Sequence, residues 1–351
     1  MEKIYKATAE NVKLVGRTYF DGEKLWCGLS GSGISFKFKG TKCGITIGGD
    51  HIALTDDYNS KSRFAILVNG DRIIDDMVTY TEKTYSVIDS DTEVSCVITV
   101  IKLSEAAMSA LSINNISVCG GISPDSNKAK LIEFIGDSIT CGYGVDDEDE
   151  NHNFSTSTED MTKAYAYRTA KALDVDYSMV SYSGYGIISG YTGDGVRNAN
   201  ELVPPYYENP AFTYGAFGDK KPQELRWDFT VRQPDLIVLN LGTNDDSFCL
   251  EDEEKRAEYC EKYVDFLKVV RKNNPSAKIV CSLGIMTDRL CPYVEKAAAE
   301  YTSQTGDENI STFRFDVQLL EDGYSANYHP TAATHKKAAE KLTAYLKTIL
   351  D

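Results

Sequence analysis

The chain has 351 residues, 42% of them hydrophobic and 26% charged, which is enough for a sizeable core and for two domains. Its formal net charge of −16 opposes nucleic acid and anionic membrane as partners and favours a neutral substrate or a small cation. No segment approaches the roughly 18 consecutive apolar residues of a membrane span, and the stretch from Met1 to Gly16 holds no apolar run of secretory-signal length, so a cytoplasmic location is expected.

The nine cysteines are scattered and form no CxxC pair. That pattern predicts reduced thiols packed as small hydrophobes, not a disulfide framework or a zinc site. From about residue 12 to 119 the pattern is short and alternates at period two. Val12–Val15, Gly33–Gly40, Gly44–Gly48, Arg63–Val68, Val94–Ile101 and Leu111–Val118 read as strands, and Asn69-Gly70-Asp71 as a tight turn. Many short strands without helical patterns predict an antiparallel β-sandwich of jelly-roll type over residues 1–120. Its Trp26 and His51 are expected in packing or loop positions. The turn-rich segment from Gly120 to Asn127 marks a domain boundary.

Residues 128–351 change to alternating strands and helices. Leu131–Ile135 is an apolar run that breaks at Gly136-Asp137-Ser138. Helix is expected over Tyr165–Ala172, Glu253–Lys272, Pro292–Ser303 and Thr331–Ile349, and strand over Tyr177–Tyr182, Leu236–Leu241, Ala277–Leu283 and Ser311–Val317. Tyr191–Asp228, rich in Gly, Pro and aromatics, reads as loop. The acidic run Asp146–Glu150 reads as a solvated loop, too irregular in oxygen spacing for a calcium site. The alternation predicts an α/β domain, a parallel sheet with helices on both faces.

Three of these strands end in small polar residues, at Asp137-Ser138, Ser183-Gly184 and Asn244-Asp245. A parallel sheet brings such ends to one edge. Ser138 there can be an ordinary helix N-cap or a nucleophile, and a serine hydroxyl needs a base. Of the four histidines, His51 lies in the sandwich, His152 in the acidic loop and His335 inside the last helix. His329, next to Pro330 at that helix's start, is the candidate base; its alternative is a surface histidine. The N–H groups of Ser138 and Gly184 and the Asn244 amide can supply three donors to an oxyanion.

Gly136-Asp137-Ser138-Ile139, Gly184, Gly242-Thr243-Asn244-Asp245 and His329-Pro330 together resemble, in order, the four motif blocks of the SGNH (GDSL-like) hydrolases. Val15-Gly16-Arg17-Thr18 and the run from Trp26 to Thr41 are similar to the jelly-roll module ahead of that domain in carbohydrate esterase family 2. The resemblance implies a Ser138 nucleophile, a His329 base and an oxyanion hole of Ser138, Gly184 and Asn244, with Gly186 as a lesser alternative to Gly184. It also implies removal of O-acetyl groups from xylan- or mannan-type sugars without metal or cofactor. The chain departs from the SGNH pattern three residues before the histidine, where Ala326 replaces an aspartate. The resemblance to family 2 esterases, which often work with a Ser–His dyad whose imidazole is oriented by a backbone carbonyl, implies such a dyad here, Asp322 being a remote substitute for the acid. Among the aromatics near the motifs, Tyr185, Tyr191, Trp227 and Tyr328, the last is named for sugar binding. Competing readings are a GDSL-type acyl esterase or lysophospholipase, a carbohydrate-binding protein without activity and, on weaker grounds, a nucleotide-binding domain, for which no GxGxxG or P-loop follows a strand.

Overall fold

A computed structural model of the protein describes residues 2–350. It divides into two compact units. The first takes the N-terminal portion through Asn127 together with Phe154–Glu159 and Asn209–Trp227. The second takes Lys128–Asn153, Asp160–Glu208 and the chain from Asp228 onward.

The first unit is the antiparallel β domain. Strands expected to be separate are continuous: Gly33–Gly49 runs through the gap left between two predicted strands, and Val94–Ile101 is the second half of Glu82–Lys102. These two strands and Leu111–Pro124 form the centre of a nine-stranded sheet, every pairing of which is antiparallel. Ile34, Phe36 and Phe38 are buried while Lys37 and Lys39 are exposed, so the period-two alternation sorts side chains between core and solvent. Asp71–Met77, an edge strand in which Ile73 and Ile74 are flanked by charged residues, is not among the predicted strands. Gly40 and Gly120 are register partners where the ladder slips. A Cβ on Gly40 would lie 2.2 Å from the Cys119 carbonyl oxygen, and one on Gly120 2.2 Å from that of Lys39.

Two later segments complete this unit. Arg17 donates to the Asn209 carbonyl at 3.1 Å, and the Glu159 carboxylate accepts the Glu105 N–H at 3.0 Å. The sequence placed both segments in the second domain, because local pattern carries no record of which core a loop joins.

The second unit holds a five-stranded parallel sheet in the order Asp176–Ser181, Leu131–Gly136, Leu236–Asn240, Lys278–Ile285, Ile310–Val317. The helix Tyr165–Ala172 forms where expected, and Glu253–Asn273, Cys291–Thr305 and Ala332–Leu346 match their predicted positions to within a few residues at each end. The last helix lies against Tyr165–Ala172 and the strand Ile310–Val317. Tyr165 joins these parts: its ring meets Phe134, Phe315 and His335, and its hydroxyl lies 3.0 Å from Thr140 Oγ1. Gly136 pairs in register with Ser181 on one side and Asn240 on the other. The ends of the three neighbouring strands thus release Ser138, Gly184 and Asn244 at one edge.

Gly40→Ala is expected to destabilise the protein by about 1–3 kcal/mol, the usual cost of forcing extra volume into a packed site, seen as a lower denaturation midpoint.

Candidate active site

Ser138 is the first residue of a one-turn helix, Ser138–Cys141, and Asp137 is the N-cap. The Asp137 carboxylate accepts the Ile139 N–H at 3.0 Å, so the capping task falls to the residue before the serine. Ser138 Oγ is left to bond His329 Nε2 at 2.9 Å. Burial, reinforced by the nearby Asp245 charge, pushes the Asp137 carboxyl up to about 7.

His329 Nδ1 lies 3.2 Å from the Ala326 carbonyl oxygen and 3.1 Å from that of Asn327. Both are acceptors only, so Nδ1 carries the proton and Nε2 presents its lone pair to the Ser138 hydroxyl. Burial lowers the His329 pKa to about 4, against the two carbonyls, which raise it. Asp322 does not take part: its carboxylate accepts from Lys337 Nζ at 2.8 and 2.7 Å.

Pro330 lies outside the last helix, which begins at Ala332 behind the cap Thr331. His329–Pro330 instead pairs with Tyr324–Ser325 in a two-residue antiparallel ladder. The Ser325 hydroxyl donates to the carbonyls of His329 at 3.0 Å and Pro330 at 3.1 Å. Asn327 and Tyr328 sit at φ 51° and 59°, the left-handed region that asparagine tolerates best among residues with a side chain. Tyr143 stacks on the imidazole, ring centroids 3.8 Å apart, and its hydroxyl accepts from Asn327 Nδ2 at 2.6 Å.

The Gly184 N–H and Ser138 N–H take no part in the turn hydrogen bonds around them, whereas the Gly186 N–H donates to the Glu201 carbonyl at 3.1 Å. Gly184 is the freer donor of the two. Asn244 Nδ2 donates to the Tyr185 carbonyl at 2.8 Å, which fixes the amide. The neighbouring Asp245, fully buried, accepts the N–H groups of Ile187, Ile188 and Ser189 at 2.7–3.2 Å and so ties the loop after Gly184 to the strand end that carries Asn244. Burial raises its pKa to about 6, against those donors.

Tyr328 is exposed beside Tyr324, with ring centroids 5.8 Å apart. Tyr191 is also exposed, while Tyr185 is buried against Tyr182 and Tyr206. Trp227 belongs to the first unit, under the Arg17 guanidinium. His335 is buried, its Nδ1 accepting the Tyr165 N–H at 3.2 Å. From the sequence Tyr143 had no role, and of Ser325 and Asn327 it could be said only that neither replaces the charge of the missing acid. Only the position of Tyr143, five residues after Ser138 in the same glycine-rich stretch, pointed to one of them.

A buried hydroxyl on the unprotonated nitrogen of an oriented imidazole, with amide donors at the same sheet edge, defines a serine-hydrolase type of site on an α/β fold. Residues 134–337 match the model of the GDSL-like lipase/acylhydrolase family, and residues 14–124 that of the carbohydrate esterase 2 N-terminal domain. The chain belongs to the GDSL-like lipase/acylhydrolase family and carries the carbohydrate esterase 2 N-terminal domain ahead of it.

It is 29% identical over 331 residues to the cellulase/esterase CelE of Acetivibrio thermocellus, covering 92% of this chain and 38% of that protein. An acetylxylan esterase / glucomannan deacetylase of Cellvibrio japonicus is 32% identical over 228 residues, 63% of this chain and 58% of that one. The chain thus matches well under two thirds of the length of these relatives. Among solved structures, a family two carbohydrate esterase from Clostridium thermocellum in complex with cellohexaose superposes with a TM-score of 0.82 at 27% identity, covering 97% of this chain and 99% of that one. An acetyl xylan esterase from Butyrivibrio proteoclasticus shares the fold, with a TM-score of 0.89 at 24% identity over 99% and 98% of the two chains.

Asp245→Ala would leave buried N–H groups of Ile187 to Ser189 without their acceptor, at about 1–3 kcal/mol for each unsatisfied group. A lowered Tm is expected, with faster hydrogen exchange at those three amides.

Proposed function

We propose that the protein is a carbohydrate esterase that removes O-acetyl groups from xylan- or mannan-derived oligosaccharides through a Ser138–His329 dyad. The observation that carries this reading is the 2.9 Å bond between Ser138 Oγ and His329 Nε2, with Nδ1 held on two carbonyl oxygens. The names of the Cellvibrio relatives and the family two likeness support the substrate class.

In this reading Ser138 Oγ attacks the acetyl carbonyl carbon while His329 Nε2 takes the hydroxyl proton. Negative charge gathers on the former carbonyl oxygen, where the Ser138 and Gly184 N–H groups and the Asn244 amide donate to it. The intermediate collapses by breaking the bond to the sugar oxygen, which takes the proton from His329. Water then attacks the acetyl-enzyme, gives its proton to Nε2 and leaves as part of acetate, and the proton returns to Ser138. Tyr328, exposed next to the base, offers a flat apolar face to a pyranose ring.

Acetate release from acetylated xylo- and manno-oligosaccharides, run beside a medium-chain acyl ester, tests the reading. Ser138→Ala is expected to abolish release from the sugars while leaving the fold intact; turnover of only the longer ester would replace it with a general acyl esterase. Asn244→Ala is expected to lower kcat by roughly 10²–10³, the usual cost of one oxyanion donor, with KM little changed. The base works when neutral, and a lowered pKa keeps it neutral to lower pH. The acid limb of kcat/KM is therefore expected below 6.5, toward about 4, and a limb at 6.5 or above would contradict the assignment.

A further inference from the structure

We propose that the acidic loop from Asp146 to His152 sets the orientation of His329 in place of a third carboxylate, with His152 as its positioning residue. The inference rests on the dyad reading above. The imidazole is held by the carbonyls of Ala326 and Asn327, so its direction is only as fixed as those two peptide groups. The peptide group that carries the Ala326 carbonyl is tied to the loop on its N–H side, Asn327 N–H donating to the His152 carbonyl at 3.2 Å, and the peptide before it is tied as well, Ala326 N–H donating to the Asp147 carbonyl at 3.1 Å.

The two loop residues that accept these bonds also hold each other. His152 Nδ1 lies 3.0 Å from both Asp147 carboxylate oxygens. Asp147, His152, Asn327 and Ala326 thus close a ring behind the base. Asp149 reinforces it: its N–H donates to Asp147 Oδ1 at 3.2 Å, its carbonyl accepts the His152 N–H at 3.1 Å and its carboxylate lies 3.4 Å from His152 Nε2. Asp146 next to the ring is paired with Lys163.

Two further features fit a bracing role. Asn327 and Tyr328 both sit at positive φ, a state that persists only where the surroundings over-determine it. Gly144, at φ 60°, lets the loop close on Ala326, since a Cβ there would lie 2.8 Å from the Ala326 Cβ. The Asp147 hydrogen bond and charge, followed by Asp149, raise the His152 pKa. These two carboxylates are the ionisable groups facing it, as Ala326 and Asn327 carry none.

His152 is 61% exposed at its side chain, so truncating it removes little packing. His152→Ala is expected to lower kcat on acetylated xylo-oligosaccharide by roughly 10–100-fold, the scale of a small misplacement at the reacting centre, with KM and Tm nearly unchanged. His152→Asn, which keeps a donor near the Nδ1 position, is expected to recover most of the rate. In ¹⁵N-histidine spectra the His329 Nδ1–H resonance is expected to move in the alanine variant and return in the asparagine one, a readout independent of turnover. Wild-type kcat and an unmoved resonance in His152→Ala, with Ser138→Ala inactive, would overturn this proposal and leave the dyad standing. Full turnover by Ser138→Ala would overturn both.

Discussion

An imidazole can take a proton from a serine only if its own proton sits on the far nitrogen. In this chain that requirement is met without a carboxylate. Two carbonyl oxygens face His329 Nδ1, and because a carbonyl can only accept, the tautomer follows. The exchange has an electrostatic consequence. A carboxylate would stabilise the imidazolium form by full charge, whereas two dipoles do so less, and burial then dominates and lowers the His329 pKa. Such a base stays neutral at lower pH but stabilises its own protonated form less.

Dipoles also need aiming, which a side chain achieves by rotamer and a backbone only by its path. Here the path passes through two successive left-handed residues, Asn327 and Tyr328, at about 1–2 kcal/mol each. Against that stand the Ser325 hydroxyl on the His329 and Pro330 carbonyls, the Gln318 amide on the Tyr328 carbonyl, the loop carbonyls on the Ala326 and Asn327 N–H groups, and the Tyr143 ring beneath the imidazole. At about 0.5–1.5 kcal/mol net per hydrogen bond, these contacts are of the size needed to offset the strain. The same stretch that begins with Ser138 continues through Tyr143 and Gly144 into the acidic loop. The proposed nucleophile and its proposed brace lie on one continuous segment.

The donor side is built on different means. Gly184 and Asn244 come from two strands that flank the Ser138 strand, so the sheet sets their spacing. Asp245 then locks the loop after Gly184 by collecting its N–H groups, at the cost of a buried carboxyl with a raised pKa. Asn244 and Asp245 are neighbours with different partners, the Asn244 amide held on the Tyr185 carbonyl and Asp245 on the N–H groups of the loop.

Much of this was legible in the residues themselves. Period-two and helical alternation depend on which side chains can be buried locally, so the β domain, the α/β domain and the converging strand ends at Ser138, Gly184 and Asn244 could be read in advance. The absence of an acid at Ala326 could be read too, while the expectation of a carbonyl came from the resemblance to family 2 esterases. What the sequence could not carry was anything set by chain path. Which carbonyls meet His329 depends on the φ of Asn327 and Tyr328. The duty of Asp137 as N-cap, which frees the Ser138 hydroxyl, depends on where one turn of helix starts. Pro330 forms a short ladder instead of a helix start, and Asn209–Trp227 joins the β unit, because contacts distant in sequence outweighed local preference. The tie from His152 to Asn327 spans 175 residues of chain, and no local pattern encodes a partner that far away.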